Sequence, residues 1–402
     1  MDVTSRRTVL RGAGSGLAIL SLPACSAPER LSAVPAGRST EATVLGVPNE
    51  RFFPAHGVGP LEAEFAAAFE RQMRSLGLKS IDSLPTWQLL AISGGGENGA
   101  FGAGLLCGWS DQGTRPTFNL VTGVSTGALS APFAFLGSAY DGALRAVYTE
   151  VSPERVLQKR NLLAALLGDA MADNAPLFEL IAHHVDDALL AAVAQAYDSG
   201  RLLLVVTTDL DAQQPVIWNI GAMAKSAHPR AADTIRRVLL ASAAIPAAFP
   251  PTMIDVTVDG VMHQEMHVDG GAYAQAFLYP TALTAQRRER MRGSQKVLSA
   301  NAYIIRNGRL HPEWGRVERR TLGIAGRAIA TMIIASGYND IVRIYDNARR
   351  DGFGYNLAYI EPDFREVLST PFDTAYMRSL FAYAYDKAVG GYPWAKKPPI
   401  AG

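Results

Sequence analysis

Three short stretches of the chain hold residue types that could do chemistry. The first is Gly123-Val124-Ser125-Thr126-Gly127. It follows TFNLVTG, which reads as a strand, and opens STGALSAPFAFLG, which reads as a helix. A serine on such a turn is the arrangement of a nucleophile elbow. The bend is too sharp for side chains on both neighbours, hence the glycines, and the hydroxyl emerges at a helix N-terminus, where the helix dipole favours developing negative charge. The second stretch is Asp269-Gly270-Gly271, which ends the strand-like EMHV and so projects a carboxylate from a strand terminus, where the sites of open α/β sheets gather. The third is Gly94-Gly95-Gly96-Glu97-Asn98-Gly99, after the apolar run WQLLAIS.

A serine nucleophile needs a base. The seven histidines are His56, His183, His184, His228, His263, His267 and His311. In hydrolases with this elbow the histidine comes last in the chain. Only His311 lies late enough, and its setting, RNGRLHPEWG, reads as a solvated loop. Asp269 is the better candidate. Asp259-Gly260 has the same spelling, but it lies between TMIDVTV and VMHQEMHV and reads as a hairpin tip. After Asp269, GAYAQAFLYP does not return as a matching strand.

The glycine run allows two readings. Gly94-x-Gly96-x-x-Gly99 spells a dinucleotide-binding turn. Such a site wants an acidic residue about 20 positions on, at the end of the next strand, and here that strand ends in TGVSTG. The other reading is a cradle of unhindered backbone N–H groups for the oxyanion of an ester under attack. Gly94, Gly95 and Gly96 are then the donors, with the Thr126 N–H beside them.

The elements that must position these residues alternate. Residues 61–76 have helical spacing. Strand and helix alternate from residue 87, with a helical insert over 142–198, a buried strand RLLLVVTTDL and a helix DTIRRVLLASAAI stopped by Pro246. LSANAYIIRNG is a further strand, residues 317–350 read as one long helix, and the tail adds a strand and a last helix. This predicts an α/β fold of three layers, α/β/α, around a mostly parallel sheet. The segments expected are an export signal over 1–25, a tether or extended arm over 26–60, a helical segment over 61–86, a catalytic domain over 87–285 and a C-terminal extension over 286–402. Within the insert, VLQKRNLLAALLG could line an acyl channel or pack as an ordinary helix. The aromatic residues of GGYPWAKK could touch a membrane interface or pack on the surface.

The three blocks occur in the order found in patatin-like phospholipases, which the chain resembles over roughly residues 87–285. A fourth block supports the likeness: Ala241-Ser242-Ala243-Ala244-Ile245-Pro246, followed by Phe249-Pro250-Pro251. The resemblance implies a patatin-like fold and a lipid acyl hydrolase of phospholipase A or lysophospholipase type. Ser125 is then the nucleophile and Asp269 the general base, in a dyad without histidine. Gly99, Gly123, Gly127, Gly270 and Gly271 match the glycines of the motifs. The same dyad could serve an acyltransferase or thioesterase, and a catalytically weak envelope lipoprotein is the non-enzymatic alternative. The chain departs from the family at Asn98, where Arg or Lys is usual. An aspartate with an ordinary pKa of about 3.9 is a poor base at neutral pH, so a desolvated site that raises the pKa of Asp269 is expected.

Composition sets the remaining bounds. The 402 residues are 48% hydrophobic and 19% charged, with a net charge of +1, which argues against a nucleic-acid partner. No calcium-loop or zinc-ligand spacing is present, and the chemistry calls for neither metal nor cofactor. The start, MDVTSRRTVLRGAGSGLAILSLPAC, has a basic end and a short apolar core. Ser5-Arg6-Arg7-Thr8-Val9-Leu10-Arg11 resembles a twin-arginine export signal, and Leu22-Pro23-Ala24-Cys25 resembles a lipobox. The expectation is a lipidated Cys25 that tethers the protein to a membrane facing the periplasm or cell exterior; cleavage after Ala27 is the rival. The other cysteine, Cys107, reads as a small core residue.

Overall fold

The computed structural model describes residues 30–156, 158–159, 170, 172–280 and 299–399. The segment expected to be an export signal, Cys25 and most of VLQKRNLLAALLG lie outside the described residues.

In chain order the elements are β1 (Arg51–Phe52), α1 (Gly59–Ser75), β2 (Trp87–Ile92), α2 (Gly99–Asp111), β3 (Leu120–Val124), α3 (Thr126–Leu136) and α4 (Asp141–Thr149). A small hairpin, β4 (Gln158–Lys159) and β5 (Ala172–Asp173), leads to α5 (Ala175–His184) and α6 (Asp187–Asp198). Next come β6 (Leu202–Asp209), β7 (Gln214–Asn219), α7 (Ile220–Lys225), α8 (Ala231–Ser242), β8 (Thr252–Val258) and β9 (Val261–Asp269). The chain closes with β10 (Ala300–Arg306), α9 (Thr321–Asp351), β11 (Gly354–Tyr359) and α10 (Thr374–Val389).

Nine strands form the main sheet, in the order β1-β7-β6-β3-β2-β10-β11, with β9 on β6 and β8 on β9. The run β6-β3-β2-β10-β11 is parallel throughout. Side-chain alternation along these strands feeds two cores. Leu90, Ile92, Val121, Leu203 and Val205 face one, with α2, α3, α8 and α10. Trp87, Leu89, Leu120, Leu202 and Leu204 face the other, with α1 and α9. The result is a three-layer α/β/α fold with a mostly parallel sheet. The antiparallel β7 went unread in the sequence, because QPVIWN is short and Pro215 falls inside it.

The register on β6 decides where the chemistry falls. β3 pairs with β6 up to Val124 opposite Val206. The next residues of β6 pair instead with β9, Thr207 opposite Asp269 and Thr208 opposite Val268. β7 occupies the other edge over those same residues, so β9 takes over where β3 leaves off. The residue after Val124 is Ser125.

Residues 30–58 lie along this antiparallel side. Thr43 bridges Thr257, and β1 pairs with β7. Arg51 meets Glu265 of β9 at 2.5 Å, with the two side chains 2% and 1% exposed. Arg51 also donates to the Ala42 carbonyl, and Glu265 receives His267 at 3.1 Å. Burial alone would raise the Glu265 carboxyl, but His267 and Arg51 bring it down to about 2. Removing one partner of such a pair leaves a buried charge uncompensated. Glu265→Ala is therefore expected to lower the unfolding free energy by roughly 3–5 kcal/mol, measured by urea denaturation.

Candidate active site

Ser125 sits between β3 and α3 with φ 56° and ψ −128°, a backbone conformation costly for a residue with a side chain. Its neighbours show why only glycine serves there. A Cβ on Gly123 would lie 2.6 Å from the Gly127 carbonyl oxygen, and one on Gly127 would lie 2.2 Å from that of Ile92. The strain is held by Ser242 at the end of α8. The Ser125 N–H donates to Ser242 Oγ at 3.1 Å, and Ser242 Oγ–H donates to the Val206 carbonyl at 2.7 Å. Thr126 opens α3, and its side chain meets the buried Tyr148 hydroxyl at 2.6 Å.

Asp269 ends β9 beside the elbow and is buried. Its N–H donates to Ala244, its carbonyl accepts from Thr208 Oγ1, and its Oδ1 accepts the Gly271 N–H at 2.6 Å. Desolvation pushes the carboxyl up to about 7, against the opposing hydrogen bonds from the Ser125 hydroxyl and the Gly271 N–H. The sequence-based expectation of a raised pKa is met by this cause.

The glycine loop lies directly against Ser125: a Cβ on Gly94 would sit 3.1 Å from Ser125 Cβ. One expectation is corrected here. The Gly94 N–H donates to the Gln275 carbonyl at 2.9 Å, so it is not free for an oxyanion. Gly94 supplies close approach instead. The N–H groups of Gly95, Gly96 and Thr126 take no acceptor among the described residues. Asn98, at the position where the family usually has a cation, is tied to α10. Its Oδ1 accepts the Tyr376 hydroxyl of α10 at 2.7 Å.

A buried cation reaches the loop from elsewhere. Arg306, at the end of β10, donates to the Gly94 carbonyl at 3.0 Å and to Ser93 Oγ at 3.2 Å. Ser93 Oγ–H donates to the same carbonyl at 2.7 Å. Asn307 completes the clasp. Its N–H binds Ser93 Oγ, its amide NH₂ donates to the Ser93 carbonyl, and its Oδ1 accepts the Gly102 N–H of α2. Burial lowers the Arg306 guanidinium to about 10, opposed by Asp340, so it stays charged at neutral pH. Asp340 of α9 in turn accepts the N–H groups of Gln275 and Ala276. Sequence reasoning missed Ser93, Gln275, Arg306, Asn307 and Asp340, and it quoted Ser242 within the fourth block without a role. The one available signal was RN placed directly after the apolar strand NAYII.

The histidines stay apart from the chemistry. His267, two residues before Asp269, is buried and engaged by Thr207 at Nδ1 and Glu265 at Nε2. His311 is exposed. Cys107 is buried, its thiol pushed up to about 12 chiefly by desolvation. Trp394 of GGYPWAKK packs on Trp109 and Tyr303, with ring centroids 4.9 and 5.2 Å away. Among the described residues no group of three or more His, Cys, Asp or Glu could hold a metal ion.

Residues 90–281 match the family model described as patatin-like phospholipase. The chain carries a patatin-like phospholipase domain. Among solved structures it is similar to VipD from Legionella pneumophila, with 10% identity and a TM-score of 0.36 over 76% of this chain and 67% of that one. It is also similar to human GIVD cytosolic phospholipase A2, with 10% identity and a TM-score of 0.29 over 83% of this chain. The chain spans 55% of that human protein. No curated protein matches the chain. The elbow, Asp269 and the glycine loop lie inside the matched patatin-like residues. Arg306, Asn307, Asp340 and Tyr376, which hold the loop, lie outside them.

Ser242→Ala removes the support of the strained turn and leaves the Ser125 N–H and the Val206 carbonyl without their shared partner. The expected cost is about 1–3 kcal/mol of stability. Labelling of the protein by a fluorophosphonate should also slow, read by mass spectrometry over a time course.

Proposed function

We propose that this protein is a lipid acyl hydrolase in which Ser125 is the nucleophile and Asp269 the general base. The observation that carries the reading is a strained elbow whose buried serine faces a buried carboxylate with a pKa raised to about 7. Asp269 takes the Ser125 proton as Oγ adds to the ester carbonyl. The Gly95 and Gly96 N–H groups and the Thr126 N–H at the start of α3 hold the oxyanion. The tetrahedral species collapses, the C–O bond to the alcohol breaks, and the alcohol leaves with the proton from Asp269. Water then gives a proton to Asp269 and attacks the acyl-enzyme, and Ser125 recovers its proton as the fatty acid departs. The family match supports lipid esters as the substrate class. The N-terminal signal supports export and a lipid anchor at Cys25.

Arg306 supplies the positive field that Asn98 does not. The Gly94 carbonyl and the Gly95 N–H belong to one trans peptide. A cation bound at the carbonyl polarises that peptide and strengthens the N–H at its other side. Arg306→Met should lower kcat by about tenfold or more with KM little changed, since direct loss of one oxyanion donor costs about 100-fold or more. Arg306→Lys should recover part of it. Equal losses in the Met and Lys variants, with a raised KM, would point to a collapsed loop instead.

Asp269 must be ionised to act, so kcat/KM on a soluble short-chain ester should rise with pH, half-maximal near pH 7, and stay level above it. A limb near pH 4 would overturn the raised pKa. Stability runs the opposite way. The folded pKa lies above the unfolded value of about 3.9, so the proton on Asp269 stabilises the fold below about pH 4 and that contribution is lost as pH rises through 7. Asp269→Asn should abolish activity and melt above the wild type at pH 8, with the difference vanishing near pH 4. Ser125→Ala should abolish both hydrolysis and fluorophosphonate labelling.

A further inference from the structure

Helix α9 divides into two halves of different character. The C-terminal half is built into the molecule: Ile341, Ile344 and Ala348 are buried, Asp340 holds the Gln275 turn, and a Cβ on Gly337 would lie 2.8 Å from the Arg306 guanidinium. The N-terminal half and the loop before it behave otherwise. From His311 to Met332 every residue whose burial is described is exposed. These include Trp314 at 93%, Met332 at 70%, Ile329 at 55% and Ile324 at 52%.

The exposed residues have an order. At 3.6 residues per turn, Ile324, Met332 and Ile329 fall within an arc of about 140°, and Arg327 falls outside it, about 60° beyond Ile324. From Arg309 to Met332 there are five arginines and two glutamates. Both glutamates are engaged at the base of the segment, Glu313 with Arg309 and Glu318 with Arg320. Arg316 and Arg319 have no carboxylate partner among the described residues. An apolar arc with an exposed tryptophan and a surplus of arginine is the pattern of a helix that lies in a membrane interface, with its rings and aliphatic groups among the acyl chains and its cations at the phosphates. No helix among the described residues is long and apolar enough to cross a membrane, so this one would lie on the surface.

We propose that Trp314 and the N-terminal half of α9 dock on a bilayer containing anionic phospholipid. The choice of a bilayer as occupant rests on the lipid-ester reading above and on the arginine surplus; the exposed surface itself does not depend on that reading. The placement serves the chemistry. Met332 is five residues, or about 7.5 Å along the axis, from Gly337 at the back of Arg306, so the docked half-helix would set the glycine loop close to the lipid surface. It is also a second attachment beside the one expected at Cys25.

The test uses the full-length Cys25→Ser protein, which cannot be acylated, and vesicles of phosphatidylcholine with or without phosphatidylglycerol. Co-sedimentation should be strong with phosphatidylglycerol, weak without it, and reduced by salt. Tryptophan emission should shift to the blue on binding, and Trp314→Phe should remove that shift. A variant with Ile324→Asp, Ile329→Asp and Met332→Asp should bind about tenfold or more weakly, with the same melting temperature and the same rate on a soluble ester. Arg316→Ala with Arg319→Ala should lose the preference for phosphatidylglycerol. Undiminished vesicle binding by the aspartate variant overturns the proposal. So does a dimer in light scattering that this variant converts to monomer, since the arc would then belong to a second copy of the chain. Vesicle binding with the expected variant losses, in a protein that cleaves no ester, would refute the hydrolase and leave the docking surface standing.

Discussion

The site depends on one edge of one strand. β6 carries β3 as far as Val206 and β9 from Thr207 onward. Adjacent residues of a strand are only about 3.3 Å apart, so the residue that leaves β3 and the residue that ends β9 must meet. Those residues are Ser125 and Asp269. A slip of one position would turn every side chain of β9 to the other face, and the buried Arg51–Glu265 pair and the His267–Thr207 contact both oppose such a slip. The arm at residues 30–58 therefore contributes to the chemistry from a distance, by holding the register of the strand that ends in Asp269.

That same strand shows how strongly surroundings govern a carboxylate. Glu265 and Asp269 are both buried and four residues apart. Glu265 has a guanidinium and an imidazole beside it and falls to about 2. Asp269 has only a hydroxyl and one N–H, and desolvation carries it to about 7. The first is locked as a structural anion. The second is free to exchange a proton near neutrality, which the proposed role of base demands.

Much of this was legible in the sequence, for identifiable reasons. The elbow at Ser125 has a local cause, since Gly123 and Gly127 are required by backbone atoms within a few residues or on the adjacent strand. The hairpin at Asp259-Gly260 was equally local, with φ values of 50° and 78°. The destination of the Gly94 N–H was not legible, because backbone donors are spelled by no residue type and its acceptor, Gln275, lies far along the chain. The clasp of Arg306 and Asn307 was hidden for the same reason: more than 200 residues separate it from Ser93. The pattern pointed to Ser125 and Asp269, the groups proposed to react. It did not identify the groups that hold them, which are chosen by topology.

The clasp has a consequence in time. A ribosome delivers the elbow, then Asp269, and only afterwards Arg306, Asn307 and the Tyr376 that fastens Asn98. A chain stopped before β10 would own both reacting side chains but would lack the strand that fixes the Gly94–Gly95 peptide. On the mechanism proposed above, such a fragment has a nucleophile and no competent cradle for the charge it creates. On that mechanism, catalytic competence waits for a strand that is made after both of the side chains proposed to react.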